Sequence, residues 1–397
     1  MAGDVLLLGV TSAPHLVAYT DDTLAQLRDV ESLPGGAPGA SVNAIAVSPS
    51  GSLIAVGLSS GAYLAVYDGA TWAKITLTGG NPAGVVYGCA FSPDGTKLAV
   101  AHANSPYLTV YDTTTWAKIT LTGGNPTGQG AGCDWSADGT KLACSHSTTP
   151  YLTVYNVADW SKVTLTGGNP ASTGRGCKFS PDGTKLATIT SSNAESLVVY
   201  NVSDWSKIAI PGGPPGINLY GLAWTPDGTK LAVANSGSSL WVYTVADWSN
   251  VTQGLGTSNT VNAMCYNGDG TRLGVGYSGS TNFAIYSTAT WASQSITYSA
   301  SNGFCRSVLF SGLPVRDLTT GVNAVLDVDG LPAQSRVVRA YARATGALAA
   351  ETTTDAAGKF ALKCATSQSM QVVILDDDAG DTFNDLIVGR VTPAVPL

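Results

Sequence analysis

The stretch from Gly88 to Thr120, GCAFSPDGTKLAVAHANSPYLTVYDTTTWAKIT, decides the architecture, because near-copies of it recur along the chain. Its tryptophan returns as Trp72, Trp116, Trp160, Trp205, Trp248 and Trp291, at steps of 44, 44, 45, 43 and 43 residues. Its turn returns as Ser50-Gly51, Asp94-Gly95, Asp138-Gly139, Asp182-Gly183, Asp227-Gly228 and Asp269-Gly270, and its tyrosine as Tyr67, Tyr111, Tyr155, Tyr200, Tyr243 and Tyr286. A unit of this length cannot bury its own apolar face, so it is stable only when stacked on neighbours.

Four β-runs are expected within the quoted stretch: Gly88 to Ser92, Lys97 to Ala101, Tyr107 to Tyr111 and Trp116 to Thr120. Pro93-Asp94-Gly95 presets a tight reversal, with φ fixed at the proline and a positive φ open to the glycine. Four antiparallel strands per roughly 40 to 45 residues is the period of a β-propeller blade. Six units fit between Ser41 and Thr297, and Arg306 to Phe310 then starts a seventh that stops after one strand. Val5 to Val10, Leu16 to Tyr19 and Leu24 to Leu27 match its missing strands. The predicted fold is therefore all-β, with a seven-bladed β-propeller over residues 1–312 whose last blade the N-terminus completes. Such closure removes open sheet edges.

Beyond Ser311-Gly312 the landmarks vanish and a period of two takes over: Val322 to Val328, Arg336 to Ala344, Leu348 to Thr354, Phe360 to Cys364 and Gln371 to Leu375. This pattern predicts a C-terminal β-sandwich over residues 313–397.

Charged residues make up only 12% of the chain and the net charge is −7, which argues against a nucleic-acid partner, since phosphate binding needs clustered Lys and Arg. No apolar run reaches membrane-spanning length. Met1-Ala2-Gly3-Asp4 has no basic n-region and the apolar run after it ends by Val10, so the sequence reads without a signal peptide. Of the seven cysteines, Cys89, Cys133 and Cys177 share a repeat position that elsewhere holds Ile45, Leu222, Met264 and Val308. They read as small core hydrophobes of a chain folded in a reducing compartment, not as bridges or metal ligands.

The repeat FSPDGTKLAV, from Phe91 to Val100, followed by Leu108-Thr109-Val110-Tyr111-Asp112, resembles the WD40-like and YVTN-type seven-bladed propellers of surface-layer and lactonase kind. It lacks the Gly-His pair and Trp-Asp dipeptide of true WD40 repeats. The tail, from Val338 to Gly346 and from Glu351 to Phe360, resembles carboxypeptidase-regulatory-like, transthyretin-like domains. Its ending, from Asp376 through Pro393, is similar to the C-termini of tailed-bacteriophage structural proteins. That resemblance implies a virion component assembled in the host cytoplasm, with other virion proteins as partners, homo-oligomerisation through the tail, and a host surface glycan or receptor met by the propeller.

No catalytic residue, metal ligand or cofactor is assigned. His102 and His146 lie 44 residues apart at one repeat position and lack a third ligand, with Thr190 next in phase. The channel-lining strands carry Asn43, Cys89, Asp134, Lys178 and Asn262, and not the acidic set that lactonase-type propellers use for a metal. Asp376, Asp377, Asp378, Asp381 and Asp385 do not match a calcium-loop spacing and read as a solvated turn. The expected ligand face is a loop surface on one side of the disc. It is made of Asn81, Asn125 and Asn169 from the recurring Gly-Gly-Asn-Pro connection, with His102, His146, Tyr107 and Tyr151, since amides and aromatics suit polyhydroxyl ligands. The alternatives are a bacterial carbohydrate-binding or adhesion propeller and a lactonase-like enzyme.

Overall fold

The computed structural model describes residues 5–10, 16–20, 26–29, 35–69, 71–192, 194–211, 216, 219–236, 239–255, 260–278, 283–296, 305–311, 337–342, 348–353, 370–375 and 386–391. Every regular element among them is a β-strand, and none is a helix long and apolar enough to cross a membrane. The chain divides into two compact units, Gly3–Pro314 and Val315–Leu397.

The described residues of the first unit form seven antiparallel sheets of three or four strands, a β-propeller-like arrangement. In the second repeat the strands are Val86–Phe91, Lys97–His102, Leu108–Asp112 and the two-residue Lys118–Ile119. The two middle strands are buried nearly end to end, which is why they read as continuous apolar runs such as Leu98-Ala99-Val100-Ala101. Their partners belong to the next repeat. Ala46, Val66 and Leu64 pack with Val86, Cys89, Val100 and Tyr111, and the same cross-repeat cluster recurs between each of the following pairs through the sixth sheet. Stability is therefore a chain of nearest-neighbour interfaces.

The Asp-Gly turns follow the expected chemistry. Gly95 sits at φ 71°, and the Asp94 carboxylate accepts from Ser92 Oγ at 2.5 Å, from the Thr96 amide at 3.0 Å and from Thr96 Oγ1 at 2.8 Å. Those donors hold the Asp94 carboxyl down at about 2. Each turn also nests on its predecessor, with Pro49, Pro93, Ala137, Pro181 and Pro226 facing Gly95, Gly139, Gly183, Gly228 and Gly270.

The tryptophans differ from expectation. All six lie in turns, in left-handed conformation at φ 56–58°, and do not open a strand. Each closes a five-residue turn, as where the Trp116 amide donates to the Asp112 carbonyl at 2.7 Å. A bulky residue at positive φ is strained, and burial of its indole offsets the cost. Trp72, Trp116, Trp160, Trp205 and Trp248 are all buried, and Trp135 and Trp224 of the inner strands stack edge-on against Trp160 and Trp248. The outer strand varies from sheet to sheet: it has two residues in the first and second, five and four in the fifth and sixth, and in the third and fourth it shrinks to isolated bridges, Tyr155 to Lys162 and Tyr200 to Lys207.

The seventh sheet joins the two ends of the unit. Its order is Cys305–Ser311, Val5–Val10, Leu16–Thr20 and Gln26–Asp29, with Leu7 opposite Leu309 and Leu8 opposite Val308. Cys305–Ser311 adjoins both Thr260–Tyr266 and Val42–Val47, the inner strands of the sixth and first sheets.

In the second unit one four-stranded antiparallel sheet is described, in the order Leu348–Thr353, Val337–Ala342, Met370–Leu375, Leu386–Val391. The last of these strands has no counterpart among the sequence expectations. The expected strands Val322 to Val328 and Phe360 to Cys364 lie outside the described residues, as do Asp376, Asp377, Asp378, Asp381 and Asp385.

Candidate functional site

The anticipated loop surface does not hold together. His102 and His146 are not loop residues: they end the second strands of their sheets and are fully buried, each Nε2 within 2.9 Å of a threonine hydroxyl, Thr109 and Thr153 respectively. Burial pushes both imidazoles down to about 4, so they are neutral at pH 7. Sequence alone suggested a loop because histidine is polar and lies at a strand end. Both faces of that strand are covered, so the ring is enclosed.

Asn81, Asn125 and Asn169 are exposed, yet their connection works as a latch to the next repeat. Lys118 Nζ donates to the Asn81 carbonyl at 2.8 Å, the Gly79 amide to the Trp116 carbonyl at 2.9 Å, and the buried Tyr111 hydroxyl to the Gly80 carbonyl at 2.8 Å. Lys162 and Tyr155 repeat these bonds at Asn125 and Gly124, and Lys207 and Tyr200 at Asn169 and Gly168. These contacts lie beside the tryptophan turn, at one end of the third strand. Half-buried Tyr107 and Tyr151 stand at its other end, in the loop after the histidine.

A different constellation emerges at the inner strands. Each of the seven carries a β-bulge at the same place, one residue with no partner across the ladder: Asn43, Tyr87, Ala131, Arg175, Tyr220, Asn262 and Arg306. A bulge re-aims the extra side chain out of the pleat. Tyr87 and Tyr220 are exposed at 38% and 39%, two of only three large hydrophobic side chains so exposed among the described residues.

Contacts run from four of the seven bulge residues, Asn43, Arg175, Asn262 and Arg306, to the next sheet. The Arg175 guanidinium lies 4.5 Å from the Tyr220 ring centroid, and Arg306 Nη1 donates to Asn43 Oδ1 at 3.3 Å. Asn43 Nδ2 donates to the Val86 carbonyl at 3.1 Å and Asn262 Nδ2 to the Cys305 carbonyl at 3.0 Å. Between the second and third sheets the inner strands come close enough that a Cβ on Gly88 would stand 2.8 Å from the Gly132 Cα, so glycine is required there, whereas Ala44, Ala263 and Ser307 follow the bulge in other sheets. Cys89, Cys133 and Cys177 stand two residues after the bulges of their strands. They are buried with free thiols, and burial pushes Cys89 and Cys177 up to about 12.

Three residues further along the same strands, Lys178 Nζ and Asp134 Oδ1 form an ion pair at 2.9 Å, and the Phe179 amide donates to Asp134 Oδ2 at 2.8 Å. The Asp134 charge raises the Lys178 ammonium above its ordinary range. Ala46, Ala90, Ala223, Cys265 and Leu309 hold the equivalent positions in the other sheets, so the pair has no third carboxylate or basic group in phase. No group of three His, Cys, Asp or Glu side chains that could hold a metal occurs among the described residues. At the Asp-Gly turns, the cleft between Ser92, Asp94, Trp135 and Asp138 is lined by carboxylates already committed to their own turns.

No protein-family model matches the sequence, and neither does any curated protein. Among solved structures, the chain is similar to the Kuenenia stuttgartiensis hydrazine synthase, a β-propeller-containing protein, at 20% identity over 64% of this chain and 77% of that one, with a TM-score of 0.52. At this identity the likeness is one of fold alone.

Proposed function

We propose that this chain is a non-enzymatic recognition component of a bacteriophage particle. In this reading the seven sheets are the blades of a closed propeller that faces outward, and the second unit is a transthyretin-like β-sandwich that holds it to other virion proteins and to further copies of itself. The observation that carries a binding role is the row of seven bulges, which turns side chains out of the pleat at one level of a rigid scaffold. Sites built on rigid strands hold their geometry well. The phage assignment draws on the similarity of Asp376 to Pro393 to the C-termini of tailed-bacteriophage structural proteins, and the free thiols suit assembly in a reducing host cytoplasm.

Mass spectrometry of purified particles tests the role: the chain is expected in intact virions, and its absence from them would remove the phage assignment. A second reading, a bacterial adhesion propeller, is favoured by the exposed Tyr87 and Tyr220. It predicts the chain on the surface of cells that release no particles.

A further inference from the structure

We infer that the seven bulge positions form a binding site for an acidic saccharide, a pyranose bearing a carboxylate. This assignment rests on the recognition role proposed above and names its ligand class. The ring contains two aromatic faces, Tyr87 and Tyr220, two guanidinium groups, Arg175 and Arg306, and two amides, Asn43 and Asn262. It contains no carboxylate, in a chain whose net charge is −7. Two positive charges in such a setting are a local reversal of sign, and they select for an anion.

The aromatics narrow the choice. A free inorganic anion would use the arginines and leave the exposed Tyr87 ring unengaged, whereas a pyranose presents C–H faces to an aromatic ring and hydroxyls to amides. A neutral sugar, conversely, gives the arginines nothing to neutralise. Arg175 is held against the Tyr220 ring. The Tyr220 ring 4.5 Å away steadies its guanidinium, whose planar fork of N–H donors can grip a carboxylate by two parallel bonds. Arg306 is steadied by Asn43 in the adjoining sheet. Both cations are therefore held in place before the ligand arrives, which lowers the entropy lost on binding. Deeper along the same strands the Lys178 charge is matched by Asp134, so selectivity resides at the bulges.

The experiment titrates the full-length chain by calorimetry with an oligosaccharide of glucuronic acid and with the matched glucose oligosaccharide. The acidic sugar is expected to bind about tenfold or more tightly than the neutral one, in keeping with bonds to a charged group, and its affinity is expected to fall as salt rises. Arg175→Gln and Arg306→Gln should each weaken the acidic sugar about tenfold and leave the neutral one unchanged. Tyr220→Ala should weaken both. Equal affinity for the two sugars, binding of neither, or arginine variants that bind as the parent does would overturn the assignment, and the parent comparison of two sugars needs no variant to fold. Failure here is distinguishable from failure of the role. Virions that carry the chain while the sugars do not bind reject only the ligand class, and sugar binding by a chain missing from virions rejects only the particle.

Discussion

The outer edges of the sheets and their inner strands obey opposite rules. At the outer edge the residues repeat: Lys118, Lys162 and Lys207 make one bond to Asn81, Asn125 and Asn169, and Tyr111, Tyr155 and Tyr200 make another to the preceding glycine. At the bulges the backbone repeats while the side chains run through asparagine, tyrosine, alanine and arginine. Identity from repeat to repeat thus marks what each interface needs in order to close. Variation upon a fixed backbone marks what is free to meet something else.

Four measurements sharpen or break this contrast. The largest effect is expected from Gly88→Val, whose Cβ would stand 2.8 Å from the Gly132 Cα, backbone that cannot yield cheaply. A loss of about 3 kcal/mol or more in denaturant unfolding is expected, and a loss below about 1 kcal/mol would mean that the inner strands are farther apart than described.

The buried histidines come next. Their folded pKa of about 4 lies below the ordinary 6.5, so unfolding takes up protons at mildly acid pH. Stability is then complete above pH 6.5 and is lost as pH falls from there toward 4, by up to about 3 kcal/mol for each histidine. Replacing both by glutamine should flatten the curve in that window, whereas the carboxylates of the Asp-Gly turns act only at lower pH, Asp94 near 2. A curve that keeps its slope in the double variant would place the acid sensitivity elsewhere.

Tyr155→Phe removes a single latch bond, to the Gly124 carbonyl, without changing the packed ring. It should cost about 1 kcal/mol in thermal or chemical unfolding, and a neutral result would show that the latch is dispensable. Smallest of all should be Tyr87→Ala, an exposed bulge residue expected to shift stability by no more than about 0.5 kcal/mol while weakening saccharide binding. A strongly destabilised variant would turn that bulge into a packing device and dissolve the contrast.

Most of the fold was legible because its signals are local. The Asp-Gly turn, the closing tyrosine and the two-residue period of the strands are each written in a few adjacent residues, and the match between Val5 to Leu27 and the missing strands of the last sheet follows from the same pattern. The site was not legible for the same reason. A bulge is a property of pairing between two strands, and Tyr87 or Arg175 looks like an ordinary outward residue until its partner strand is laid beside it. The one available signal was the glycine that follows, in Tyr87-Gly88, Ala131-Gly132, Arg175-Gly176 and Tyr220-Gly221. The repeated asparagines drew attention because they recur, and recurrence turned out to serve the joint. Tryptophan in a left-handed turn was equally hidden, since intrinsic preference argues against it and only the buried pocket of the neighbouring sheet makes it tolerable.

The sheet built from both ends of the first unit has a consequence for synthesis on the ribosome. Val5–Val10 emerges early, but the strand that covers its open side, Cys305–Ser311, follows some 300 residues later, on the order of half a minute at ordinary elongation rates. Through that interval a nascent hairpin carries a row of unsatisfied amides and carbonyls, ready to pair with a strand from another polysome-bound chain. Relocating the termini to a connection between repeats, by circular permutation, would abolish the wait and make yield at high expression less dependent on chaperones.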